Sequence, residues 1–248
     1  ELFYTEAGSG EPPVLLVHGW TCDHTAMAPL FNYFRRSRRV VNVDLRGHGE
    51  SDKPEQDYTM VAFADDLAWT CGELGLEKPI VIGHSMGGVI AVELAARFPD
   101  LPSAVVTLDS PICVASAVLE RAKPLLAGLR SSAFRELQSQ FIDSMFLPTD
   151  NEDRKTRIKA GMMSTPQHVA ASAFDQVLKD TESAVRACRV PLLVLAAAES
   201  LSDLPRLREA CPQVVTGQTV GAGHFHQLEV PEQITTMIER FLTISLSS

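Results

Sequence analysis

Nowhere in the 248 residues do about 18 apolar side chains run together, so no segment reads as a membrane-spanning helix. Basic surplus is missing too: 22 Lys and Arg face 31 Asp and Glu, a net charge of −9 that disfavours nucleic acid and anionic membranes as partners. The one basic knot, Arg35-Arg36-Ser37-Arg38-Arg39, reads as a solvated helix end and turn. The five cysteines (Cys22, Cys71, Cys113, Cys188, Cys211) are odd in number, scattered and without C-x-x-C spacing. They fit neither a disulfide frame nor a zinc site, and as reduced thiols they lead to an expected cytoplasmic location. His18, His24 and His48 have no i,i+4 partner or carboxylate array, so no metal is expected. The glycine-rich segments at 45–50 and 83–88 match neither G-x-x-x-x-G-K-[ST] nor G-x-G-x-x-G, so neither a nucleotide cradle nor any other cofactor is expected. The chain opens at Glu1 without methionine, which is compatible with a trimmed leader.

What the chain does hold is an alternation of strand-like and helix-like segments. Strands are expected at 2–6, 13–19, 39–44, 79–83, 103–109, 191–197 and 213–220, and helices at 24–36, 59–75, 86–98, 203–211 and 231–243. Most of the strand runs are continuously apolar and β-branched, as strands covered on both faces should be. The order predicts an α/β protein with a doubly wound, mainly parallel sheet. Residues 111–186 interrupt it with successive helical patterns and no convincing strand. Because the interruption leaves after one strand and returns before another, at the end of the sheet where ligands bind in such folds, it is expected to form an all-helical lid or cap on a core of residues 1–110 and 187–248. Leu125, Leu129, Phe134, Leu137, Phe141, Met145 and Phe146 are expected to give that lid an apolar underside, and its charges nearly cancel. The expected partner is a small apolar or aromatic molecule.

The stretch PIVIGHSMGGVIAVELAARFPD, Pro79 to Asp100, places Ser85 between an apolar strand and an apolar helix. Gly83 and Gly87 flank it at G-x-S-x-G spacing, which lets strand and helix approach and pushes the serine hydroxyl outward at a helix N-terminus. A serine hydroxyl is nearly inert at neutral pH unless a base takes its proton and an acid holds that base in the right tautomer. The candidate base is His224, in the Gly-Ala-Gly loop after the last strand, with His226 as its competitor.

The segments LLVHGW (15–20), DLRGHGES (44–51), GHSMGG (83–88) and GHFHQLEVPE (223–232) together resemble the α/β-hydrolase fold family across essentially the whole chain. The resemblance implies two oxyanion donors, the backbone N–H groups of Trp20 and Met86. It also implies an aspartate after the strand at 191–197, where this chain has Ser200 instead. Three carboxylates are open as the acid: Glu199 and Asp203 in that later loop, or Asp109 at the end of the strand at 103–109, a position some members of the family use. Asp109 is favoured because a strand end holds a side chain more rigidly, with a cap on the turn into Ser110-Pro111 as the competing role. The expected activity is hydrolysis of a carboxylic ester or lactone through Ser85, His224 and Asp109. Two alternatives stay open at this point: a cofactor-free dioxygenase cleaving a hydroxyquinolone-type ring with His224 as base, and a carbon-carbon bond hydrolase.

Overall fold

The computed structural model describes residues 1–246. In chain order come β1 (Tyr4–Ala7), β2 (Val14–Val17), a 3-10 turn (His24–Met27) leading into α1 (Ala28–Phe34), β3 (Val40–Val43), α2 (Met60–Glu73), β4 (Ile80–His84), α3 (Met86–Arg97) and β5 (Ala104–Leu108). Then follow α4 (Ser116–Gly128), α5 (Phe134–Asp143), α6 (Glu152–Ser164), α7 (Gln167–Val177) and α8 (Glu182–Ala187). The chain finishes with β6 (Leu192–Ala196), α9 (Leu204–Ala210), β7 (Val215–Gln218), α10 (His226–Glu229) and α11 (Pro231–Leu246). Every strand overlaps an apolar run that predicts one, and the long helices start where the pattern and caps demand. Thr59, for example, accepts a hydrogen bond from the Ala62 N–H at the start of α2, 3.1 Å away.

The seven strands form one sheet in the order β1-β3-β2-β4-β5-β6-β7. Only β1 runs antiparallel, against β3; the other pairs are parallel. Successive residues of a strand point to opposite faces, so β2 divides its four buried side chains between two cores. Val14 and Leu16 pack with Leu30 and Phe34 of α1 and with Ile234, Ile238 and Phe241 of α11. Leu15 and Val17 pack on the other side with Phe63 and Leu67 of α2 and Ile90 and Leu94 of α3. Helices on both faces explain the continuous apolar strands.

Among the described residues no strand interrupts α4 to α8; one isolated bridge, Val114 to Ser202, pins the segment's beginning to the loop after β6. Helices α4, α5, α6 and α7 pack on one another, whereas α8 packs on α3 and α9. No helix of the described residues is long and apolar enough to cross a membrane. All five cysteines are buried and unpaired.

Candidate active site

Parallel strands bring their C-terminal ends to one edge, and the candidate residues stand there. Ser85 follows β4 with φ 53° and ψ −117°, a conformation that L-residues adopt rarely and only where the surroundings enforce it. The glycines are the enforcement. A Cβ on Gly83 would collide with the Gly87 carbonyl, and one on Gly87 with the carbonyls of Val17 and His18, so β4, α3 and β2 close on a turn too tight for side chains. Ser85 begins α3 without capping it by its side chain. Gly19 passes so near that a Cβ there would stand 3.1 Å from Ser85 Cβ, which brings the loop carrying Trp20 against the serine. Met86 is the first residue of α3, so its N–H has no intrahelical acceptor. The Trp20 N–H has no backbone acceptor among the described turns and loops.

Asp109, one residue beyond β5, is 3% exposed and also has positive φ, 42°. Its Oδ1 accepts the Ala197 N–H at 3.0 Å and its Oδ2 lies 2.7 Å from His224 Nδ1. Those two partners use the carboxylate on the strand edge, so it does not cap the turn into Ser110-Pro111. The later loop points its carboxylates elsewhere. Glu199 pairs with Arg121 of α4 at 3.1 Å, with side chains 79% and 58% exposed, and Asp203 caps α9 through the Arg206 N–H at 3.2 Å. Glu199→Gln and Asp203→Asn are therefore each expected to cost less than about tenfold in turnover. Steady-state assays of the two purified variants check this.

The structure separates the two candidate histidines. His224 lies beside Asp109, whereas His226 is turned into the core, where Thr219 Oγ1 sits 3.1 Å from its Nδ1 and burial pushes its pKa down to about 4. The loop that carries His224 is tied on several sides. Ala198 N–H donates to Ala222 O at 3.0 Å, Gly223 N–H to Glu229 Oε1 at 3.0 Å, and His224 N–H to Met145 O at 3.3 Å. Burial raises the pKa of the Glu229 carboxyl.

Ser85, Asp109, His224 and Trp20 all line one cavity of about 280 Å³, with Val118, Phe141, Phe146 and Phe174 among the apolar residues over it. Of the seven residues expected beneath the lid, Phe141, Met145 and Phe146 line this cavity, while Leu125, Leu129 and Phe134 are buried in the wider core instead. Leu137 is occupied against Gly128, where a Cβ would meet it. Trp20 joins the layers: its indole N–H donates to Ala170 O in α7 at 2.8 Å, and its ring lies 4.8 Å from that of Phe174.

The histidines weighed for metal binding have structural partners. His24 Nδ1 is 2.9 Å from Asp44, and His18 accepts the Leu45 N–H at 3.0 Å. Burial lowers the pKa of His18, pushes His48 down to about 3, and holds His84 well below the usual imidazole range. With His226 these rings are neutral in the fold but protonate near pH 6.5 when unfolded, so their stabilisation is present above that pH and is lost as pH falls below it. All four shifts have the same sign, so their contributions to the pH dependence add. Urea midpoints measured from about pH 7 to about pH 4 are expected to fall as the pH drops through about 6.5.

This architecture and site edge define an α/β hydrolase. A model of the alpha/beta hydrolase family matches residues 14–236, and the chain belongs to that family. A 2-(acetamidomethylene)succinate hydrolase of Mesorhizobium japonicum is 29% identical over 255 aligned residues, covering 96% of this chain and 90% of that protein. A thermophilic esterase from Thermogutta terrifontis, solved with malate bound, superposes with a TM-score of 0.84 at 27% identity, covering 97% and 92% of the two chains. The enol-lactonase of Burkholderia xenovorans superposes at 0.85 with 22% identity over 98% and 96%, a likeness of fold.

Proposed function

We propose that this chain hydrolyses a carboxylic ester or lactone of a small, largely apolar substrate through a covalent acyl-enzyme. Ser85 Oγ attacks the carbonyl carbon while His224 Nε2 takes its proton. Asp109 keeps the His224 proton on Nδ1, away from the serine, and stabilises the imidazolium that forms. The N–H groups of Trp20 and Met86 receive the oxyanion, each donor of this kind typically worth about 3 kcal/mol of barrier. His224 then protonates the leaving alcohol, and a water activated by the same ring releases the acid and restores Ser85. The observation that carries this reading is the buried Asp109 carboxylate, shared between the Ala197 N–H and His224 Nδ1 in the cavity that also holds Ser85.

The insertion at 111–186 acts in this reading as the cap, with α8 as its return to the core. Val118 of α4, Phe141 of α5 and Phe174 of α7 over the cavity support that role. Besides Asp109 and His224 the cavity's charged side chains are Arg121 and Glu199, which neutralise one another, so the substrate enters as a neutral, apolar or aromatic ester. The esterase and lactonase names of two similar proteins support ester or lactone chemistry, and the third is named only as a hydrolase of a different substrate.

The test is covalent labelling. A serine-directed aryl phosphonate is expected to add one phosphonyl group to Ser85, located by peptide mass spectrometry, and to block hydrolysis of a neutral aromatic ester in step. Oxygen consumption with a hydroxyquinolone, in the absence of any ester hydrolysis, would overturn the reading in favour of the ring-cleaving alternative.

A further inference from the structure

One imidazole inside the serine turn takes no part in the chemistry just described. His84 ends β4 immediately before Ser85 and is fully buried. Its Nε2 lies 2.9 Å from the main-chain oxygen of His224, and a carbonyl only accepts, so the proton of the neutral ring is on Nε2 and is donated to that oxygen. Nδ1 is left as a buried lone pair without a partner, beside Gly19, where a Cβ would stand 3.0 Å from it. A buried acceptor with no donor is destabilising, and a phenylalanine or leucine would fill the same space without it. Core packing alone therefore gives no reason for a histidine here; the bond to His224 does.

That bond falls where the loop needs it. Gly221 has φ +70° and Gly223 follows two residues later, so the backbone bearing His224 is held by its contacts. Asp109 fixes the ring at Nδ1 and Met145 receives the His224 N–H, but the His224 carbonyl is fixed by His84. The two rings stand 4.7 Å apart, centroid to centroid. Resting on the reading of His224 as the base, we propose that His84 is a positioning residue, which anchors the main chain of His224 so that Nε2 stays aimed at Ser85. Because burial keeps His84 neutral, the ring does so without repelling the imidazolium that forms on His224. The other ionisable groups around His84 are His226 and His18, both also held neutral by burial.

Two isopolar variants separate anchoring from packing. A glutamine amide N–H reaches about the place of imidazole Nε2, whereas an asparagine amide reaches only that of Nδ1. His84→Gln is expected to stay within about fivefold of the parent kcat on a neutral aromatic ester. His84→Asn is expected to lose about 10- to 100-fold in kcat with KM unchanged within twofold, since positioning acts on the chemical step. Equal losses in both variants, or no loss in either, would overturn the proposal. On the unaltered protein, ring nitrogen-15 NMR is expected to show His84 protonated at Nε2 with slow exchange of that proton; protonation at Nδ1 would overturn it whether or not the variants fold. Ser85→Ala run alongside keeps the two readings apart. If it hydrolyses ester normally, the proposed function fails; if it is inactive while His84→Asn keeps full kcat, only the role of His84 fails.

Discussion

Asp109→Asn is expected to lose on the order of 10⁴ in turnover at neutral pH, the scale of the same replacement in a serine triad. The side chain keeps its shape, and its oxygen can still accept the Ala197 N–H. The changed atom is the one 2.7 Å from His224 Nδ1. An amide nitrogen there donates, so the imidazole turns its lone pair to it and carries the proton on Nε2, the nitrogen that the proposed mechanism needs as the acceptor of the serine proton. Calorimetry on the same preparation separates this from a loss of fold, because an inactive protein with a nearly unchanged Tm has lost only the tautomer. Retention of more than about a hundredth of parental kcat would move the acid to the loop that holds Glu199 and Asp203.

Ser85→Ala is expected to remove at least about a thousandfold, because no oxygen remains to form the acyl-enzyme. Stability should hardly change. The hydroxyl does not cap α3, and alanine at φ 53° meets the same backbone strain that serine does. Residual activity above a tenth of parental would sink the covalent route. Thermal melts and burst kinetics on the two proteins decide the matter together.

The turn at Ser85 was legible because its glycines are local signals. Each marks a place where one backbone passes too close to another for a side chain, and the apolar runs on either side identify strand and helix without tertiary information. The same holds for the sheet order's α/β class and for the break in alternation at 111–186. Pairings between distant segments were a different matter. Nothing local ties Asp109 to His224, 115 residues apart, or aims Glu199 at Arg121 instead. Asp109 could be favoured only on the rigidity of a strand end, and the Ala197 N–H that orients its carboxylate comes from the residue just after β6, the next strand over. Two short helices also escaped individual notice: α10, four residues long, and α8, whose place beside α3 and α9 follows from packing rather than from its own pattern. An apolar underside for the expected lid rests on composition, which counts apolar residues without saying which way each one turns. His84 and Glu229 both lie inside quoted segments, yet their tasks are hydrogen bonds to main-chain atoms of the 223–224 loop.

The two tryptophans differ sharply in setting: Trp20 is 4% exposed and tied to α7, while Trp69 is 61% exposed on α2. Intrinsic emission of the chain is therefore expected to divide into a blue band from an indole held in an apolar, hydrogen-bonded niche and a red band from one in water. Iodide is expected to quench the second and spare the first. If α7 acts as part of the proposed cap, a swing of that helix away from the sheet is expected to break the bond to Ala170, wet Trp20 and redden the blue band. Trp20, which lines the same cavity as Ser85, is therefore expected to serve as an optical gauge of that motion, readable in stopped flow without a label.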